Sequence, residues 1–216
     1  MQYAAYIFDL DGTLYSRDNL VQNVVTAQYQ TFADELGHVE RCEYISRVLT
    51  LDEHGYRPKN EVYRELALQY GLSHDLTNRL HDHFWASYDE HIEVPEDTMN
   101  TLTAIRTNGA KIGIITNGQT ERQQKKIRAL GISELVDQLL ISESEQIKKP
   151  HPQIFQRALA RLKVSAKDSV FVGDHPTADI DGARNAGIDA IWKRTPYWQM
   201  SRPEVRVIDN LAEILD

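Results

Sequence analysis

Tyr6-Ile7-Phe8-Asp9-Leu10-Asp11-Gly12-Thr13-Leu14 begins as an apolar run and then breaks into two carboxylates, a glycine and a hydroxyl residue. An apolar stretch that stops this abruptly reads as a buried strand whose tip carries chemistry. Side chains two apart on a strand share a face, so Asp9 and Asp11 start out pointing together. Gly12 then lets the chain turn sharply. Two carboxylates this close do not both ionise easily, and one holds a proton unless a cation lies nearby. The pattern suits a nucleophile beside an acid, or a metal site.

Working outward, 216 residues suit one larger domain carrying a smaller one, and 41% hydrophobic with 26% charged residues is the composition of a folded globular chain. A formal net charge of -8 works against a nucleic-acid or anionic-membrane surface, since both reward lysine and arginine patches. An anionic substrate therefore needs local positive charge from a lysine or a metal ion. Cys42, the single cysteine, excludes an internal disulfide and fits a reducing compartment. The N-terminus shows no basic segment followed by a long apolar run, and no stretch is apolar for long enough to span a bilayer, so a cytoplasmic protein is expected.

Beyond Leu14 the pattern turns helical. Ser16-Arg17-Asp18-Asn19 is a start signal, and breaks at Gly37-His38, Gly55-Tyr56-Arg57-Pro58 and Gly71-Leu72-Ser73 divide the block to about His91 into four helices. Val94-Pro95-Glu96-Asp97 opens another helix that closes at Asn108-Gly109. Short strands then alternate with helices: Ile112–Thr116, a helix from Thr120 to Leu130, Gln138–Ser142, a helix from Pro152 to Leu162, Ser169–Asp174, a helix through Ala186-Gly187, and last strands at 189–192 and 205–208. Strands apolar on both faces and alternating with helices predict a doubly wound parallel sheet covered on both sides. The expected division is an α/β core from residues 1–15 and 95–216, with an all-helical domain, 16–94, inserted after the first strand.

Ligands of such sheets bind beyond the carboxyl ends of the strands. Those ends deliver Asp9 and Asp11, Thr116-Asn117-Gly118 and Gly173-Asp174 to one edge, with Lys148-Lys149-Pro150 just ahead of a helix. In this order the motifs resemble the haloacid dehalogenase-like hydrolase superfamily, in its phosphatase branch with a helical cap after the first motif. Asp9-Leu10-Asp11-Gly12-Thr13 is like the first motif, Ile115-Thr116-Asn117-Gly118 the second, Lys149 before Pro150 the lysine of the third, and Gly173-Asp174-His175-Pro176-Thr177-Ala178-Asp179 the fourth.

The resemblance implies a phosphomonoester hydrolase acting on a small phosphorylated metabolite, with Mg2+ as cofactor. Residue chemistry fits that implication. Asp9 is expected to attack phosphorus and form an aspartyl-phosphate, while Asp11 gives a proton to the leaving alkoxide and later takes one from water. This requires Asp9 to be kept ionised by the metal and Lys149 while Asp11 is free to protonate. Thr116 and the backbone amides around Asn117 and Gly118 are expected to hold phosphoryl oxygens. Asp9, the backbone carbonyl of Asp11, and Asp174 are expected to bind the metal, with Asp179 a ligand or a partner that orients water or Lys149. Asp181 is assigned to helix-dipole compensation only. Of the helical block's residues, Arg57 and Lys59 are the expected substrate contacts. His74, His81, His83 and His91 are expected to face solvent, and His151 and His175 to line the edge of the site. A dehalogenase of the same fold needs neither a protonating Asp11 nor Mg2+. Thr13, where family mutases usually have valine, weighs against a hexose-phosphate mutase, and a non-catalytic scaffold would not keep every reactive residue.

Overall fold

The computed structural model describes residues 3–200 and 204–215. Strand β1 (Ala5–Phe8) leads into the helices α1 (Arg17–Thr31), α2 (Ala33–Leu36), α3 (Arg41–Asp52), α4 (Lys59–Tyr70) and α5 (His74–Ser87). Next come α6 (Glu96–Thr107), β2 (Lys111–Thr116), α7 (Thr120–Ala129), β3 (Gln138–Ile141), α8 (Ser142–Glu145), α9 (Pro152–Leu162), β4 (Ser169–Gly173), α10 (Gly182–Asn185), β5 (Asp189–Lys193) and β6 (Arg206–Ile208). The chain divides into two compact units, Met1–Tyr15 with Glu93–Asp216, and Ser16–Ile92.

In the first unit six strands form one parallel sheet in the order β3-β2-β1-β4-β5-β6. The chain winds outward from β1 in one direction, through β2 to β3, and then in the other from β4 to β6. The carboxyl end of β1 therefore sits where the winding reverses, the place where such sheets open a crevice for ligands. Register follows from this arrangement, with Phe8 opposite Ile114 on one side and Val172 on the other. Residues 9, 115–116 and 173–174 thus leave the sheet at similar heights. Ile7, Ile115, Leu140 and Phe171 pack with Ile154, Phe155 and Ala158 of α9 and with Ala183 of α10 in one buried cluster. Burying side chains of this size contributes roughly 1.5–3 kcal/mol each, which holds the strand tips in place. The β1 loop is tied down too, because Thr98 of α6 donates to the Leu14 carbonyl at 2.9 Å.

One expected helix is different in kind. Pro176–Asp181 forms a π-helical turn ahead of the short α10. The Asp179 and Ile180 amides both donate to the His175 carbonyl, at 3.0 and 3.3 Å, which widens the turn in the manner common beside functional sites.

In the second unit α1 and α5 start at serine caps. Ser16 accepts the Asn19 amide at 3.3 Å and Ser73 the Leu76 amide at 3.2 Å, each satisfying an otherwise unbonded N–H. Gly71 closes α4 at a left-handed φ of 64°, which glycine adopts without steric cost. Buried within the unit, the Gln28 side-chain oxygen accepts both the Tyr44 and Tyr63 hydroxyls, at 2.8 and 2.9 Å. Its amide donates to the Leu80 carbonyl at 2.6 Å, so one polar side chain joins α1, α3, α4 and α5. Among the described residues no helix is long and apolar enough to cross a membrane.

Candidate active site

The expected acids and the lysine converge. Lys149, only 3% exposed, places its ammonium 2.5 Å from Asp9 Oδ1 and 2.7 Å from Asp179 Oδ1. Asp9 Oδ2 accepts the Thr13 hydroxyl at 3.3 Å. Asp9, Asp174 and Asp179, all buried, each bring a carboxylate oxygen within 4.8 Å of the others. Asp174 is fixed by flanking aromatics. Its carbonyl accepts the Trp192 indole N–H at 2.6 Å, and its Oδ2 accepts the Tyr197 hydroxyl at 3.3 Å.

Two glycines make this crowding possible. A Cβ at Gly173 would lie 2.5 Å from the Asp179 side chain, and one at Gly12, where φ is +88°, would lie 2.6 Å from Asp174 Oδ2. Any larger residue would push the carboxylates apart.

Three buried carboxylates facing one lysine leave negative charge uncompensated. Burial, reinforced by the charges of Asp179 and Asp11, raises the Asp9 carboxyl well above the ordinary range despite Lys149. Burial and the charges of Asp9 and Asp179 raise Asp174 likewise. Lys149 is held above its usual value because Asp179 and Asp9 outweigh its own burial. A close set of hard oxygen donors with unmet negative charge fits a divalent cation. In Asp179 both oxygens accept bonds, Oδ1 from Lys149 and Oδ2 from the His175 amide at 3.0 Å, which suits holding the lysine better than direct ligation.

Asp11 is held by residues outside the four motifs. Its Oδ1 accepts the Lys126 ammonium at 2.6 Å together with the Tyr15 hydroxyl, and its Oδ2 accepts the Gln123 amide at 2.9 Å. Burial pushes this carboxyl up, but Lys126, Gln123 and Tyr15 outweigh it and bring it down to about 2. With the protein's own charges alone Asp9 is the easier of the two to protonate, and the expected order is one that counts the charge of a metal beside Asp9 as well as Lys149. Burial and the charges of Asp179 and Asp11 set the Asp9 side of this order, and Lys126, Gln123 and Tyr15 set the Asp11 side.

The second-motif loop differs as well. Thr116 accepts the Gln123 amide at 2.5 Å. The Asn117 side chain grips the Lys149 backbone, donating to its carbonyl at 3.1 Å and accepting its N–H at 2.9 Å, whereas the expected phosphoryl contact belongs to the backbone amides of this loop. The Gly118 N–H, expected to hold a phosphoryl oxygen, donates to Ser142 Oγ at 2.9 Å. These bonds stiffen the loop that aims Lys149.

Arg57 and Lys59 are both engaged inside the helical unit. Arg57 pairs with Glu65 and, at 3.9 Å, with Glu61. Lys59 pairs with Asp52 and lies 5.1 Å over the Phe84 ring. Their acidic partners are close in sequence or on packed helices, Glu61 and Glu65 for Arg57 and Asp52 for Lys59. His151 and His175 serve as helix caps, accepting backbone amides of Gln153 and of Thr177 and Ala178. His74 is exposed as expected, whereas His81, His83 and His91 are half-buried, His83 against Phe32 and His81 against Tyr63.

Strand order and the acids at the reversal point define a doubly wound α/β protein with its site at the carboxyl edge of β1 and β4. The haloacid dehalogenase-like hydrolase family pattern matches residues 3–187, and the chain belongs to that family of hydrolases. It is 33% identical to a ribulose-1,5-bisphosphate 5-phosphatase of Halopiger xanaduensis over 87% of this chain and 83% of that one. It is 40% identical to a glyceraldehyde 3-phosphate phosphatase of Pyrococcus abyssi, though over 46% of this chain and only 42% of the relative's length. The crystal structure of a HAD phosphatase from Thermococcus onnurineus superposes with a TM-score of 0.67 at 25% identity, covering 97% of this chain and 95% of that one.

Proposed function

We propose that this protein is a magnesium-dependent phosphomonoester hydrolase acting on a small phosphorylated metabolite. The observation that carries the reading is Asp9 at the sheet's reversal point, 2.5 Å from the Lys149 ammonium and grouped with Asp174 and Asp179. The phosphatase names of the relatives support the reaction class.

In this reading Asp9 attacks phosphorus and becomes an aspartyl-phosphate, which splits one difficult displacement into two easier ones. Lys149 neutralises charge on the phosphoryl oxygens, and Asp179 keeps it aimed. Thr116 contacts the phosphoryl group from the neighbouring strand tip. Asp11 gives its proton to the leaving alkoxide and takes one back from the water that hydrolyses the intermediate. A dianionic phosphoryl group arriving beside Asp11 raises its affinity for that proton, since like charge disfavours the carboxylate. Asp9, Asp174 and the Asp11 carbonyl would hold Mg2+, which when bound supplies charge neutralisation for the phosphoryl oxygens. The helical unit is the family's inserted cap domain in this reading, and the cytoplasm its compartment.

The test is a panel of small phosphomonoesters assayed for phosphate release with Mg2+ and with chelator. Release that needs Mg2+ and disappears in Asp9→Asn is expected. Undiminished release by a folded Asp9→Asn protein would overturn the nucleophile assignment.

A further inference from the structure

The buried stripe of α7 consists of Gln123, Lys126, Ile127 and, just past the helix end, Leu130, spaced as one helical face. All four are buried. Two are apolar, as a core stripe requires, and the other two are a glutamine and a lysine. Lys125, one position earlier, shows what an ordinary lysine of this helix does: its head is 49% exposed and pairs with Glu121 four residues back. The Lys126 side chain is 11% exposed, and it runs inward to Asp11 Oδ1 at 2.6 Å. Gln123 Nε2 reaches Asp11 Oδ2 at 2.9 Å and Thr116 Oγ1 at 2.5 Å. One helix face therefore grips both oxygens of the first-motif acid and ties them to the hydroxyl of the second motif. Burying a lysine and a glutamine side by side costs desolvation that apolar residues would avoid, so the pair has to be accounted for by what it holds.

We propose that Lys126, with Gln123 beside it, is a positioning residue for Asp11, fixing the carboxyl in the orientation from which its proton reaches the departing ester oxygen. The inference rests on the reading of Asp11 given under Proposed function. In the step it serves, the Asp11 O–H bond breaks and the proton passes to the ester oxygen. That oxygen keeps the electron pair of its breaking bond to phosphorus while an Asp9 oxygen forms the new one. The water that later attacks phosphorus returns a proton to Asp11. Loss of the ammonium leaves Tyr15 and Gln123 holding the carboxyl and lets its Oδ1 shift, and displacements of about 1 Å at a reacting group cost on the order of 100-fold in rate.

Leaving-group dependence separates this role from a merely structural one. p-Nitrophenyl phosphate departs as a weakly basic phenolate that needs little proton help, whereas glycerol phosphate departs as a strongly basic alkoxide. Lys126→Met should lose on the order of 100-fold in kcat on glycerol phosphate with little change on p-nitrophenyl phosphate, and Lys126→Arg should recover part of the loss. Equal losses on both substrates, or a gain on glycerol phosphate, would overturn the proposal. Lys126→Gln, which keeps a hydrogen-bond donor without the charge, is read in the same way should the Met variant fail to fold. Asp11→Asn on the same two substrates separates the failures. If Asp11→Asn discriminates between leaving groups and folded Lys126 variants do not, the positioning inference alone falls. If Asp11→Asn shows no discrimination, the proton-donor reading falls and takes the inference with it.

Discussion

Each of the two units buries a cluster of charges, and the two clusters are unbalanced in opposite directions. In the helical unit, Arg17 and Lys59 both close on Asp52, which is 2% exposed, and Lys59 also lies over the Phe84 ring. Gly55 leaves room for the arginine, since a Cβ there would sit 2.7 Å from the guanidinium. At the strand tips, Asp9, Asp174 and Asp179 crowd around Lys149. The first cluster spends its charge on one another and on an aromatic face, which makes it a fastening between α1, α3 and α4. The second concentrates carboxylates beyond what its lysine neutralises, and Asp9 and Asp174 are raised as a result. Buried charge in a folded chain is thus not one phenomenon. A cluster that closes on itself holds the fold, and one left short of cations gives up stability for a site.

The largest effect that could break this contrast is expected at Asp52. Asp52→Ala would leave Arg17 and Lys59 buried around a missing anion, at a cost of about 3–5 kcal/mol. Urea unfolding should show it as a lower midpoint with an unchanged slope. A loss below about 1 kcal/mol, the range of exposed ion pairs, would mean that the helical cluster is not a fastening.

The strand-tip cluster should show itself next, through pH. With chelator present, Asp9 at about 7 and Asp174 at about 8 stand above their ordinary value of 3.8. Between that value and their folded values the folded state binds more protons than the unfolded chain, so stability falls as pH rises. The expected window is roughly pH 4 to 8, with no further decline from these groups above it. His175 and His83, both held below 6.5 mainly by burial, act in the opposite sense in the lower part of the window and blunt the slope there. Melting temperatures measured with chelator across this range should decline toward pH 8, and a rise over the upper half would contradict the charge imbalance.

Mg2+ should reverse that decline. A ligand at 100 times its dissociation constant stabilises the form it binds by about 2.7 kcal/mol. Wild type should gain that much at pH 8, and Asp174→Asn should gain almost none while folding at least as well with chelator, because it removes one of the repelling charges. Equal Mg2+ stabilisation in both would move the cation site away from Asp174.

The contrast also explains what the letters could tell. The strand-tip acids stand where a short apolar run stops, so Asp9, Asp11 and Asp174 announce themselves through local pattern, and the order of the strands follows from their alternation with helices. Lys126 and Gln123 give a weaker signal. They occupy core positions of a helix whose other core residues are Ile127 and Leu130, so a search for polar residues on an apolar stripe would have flagged them, but nothing local says that Asp11, more than a hundred residues earlier, is their partner. Asn117 and Gly118 have further bonds that local pattern does not show. Their residue types suit phosphate, and only the fold reveals that the Lys149 backbone and Ser142 already use the Asn117 side chain and the Gly118 amide. Arg57 and Lys59 look like free cations in a turn until packing brings Glu65 and Asp52 to them.

The smallest expected effect sharpens the description of the helical cluster. In Lys59→Met, Asp52 keeps Arg17, whose two terminal nitrogens both reach the carboxylate, so the anion is not left bare. Such forked arginine contacts are the stronger kind of ion pair. What is lost is the second ammonium and its interaction with the Phe84 ring, about 0.5–2 kcal/mol for a cation over an aromatic face. The repulsion between two buried cations is relieved at the same time, and methionine fills a similar volume against the ring. The net change should stay within about 1 kcal/mol, well short of the Asp52→Ala loss. A Lys59→Met protein as unstable as Asp52→Ala would show that the lysine, and not the carboxylate with its arginine, is the member on which the helices depend.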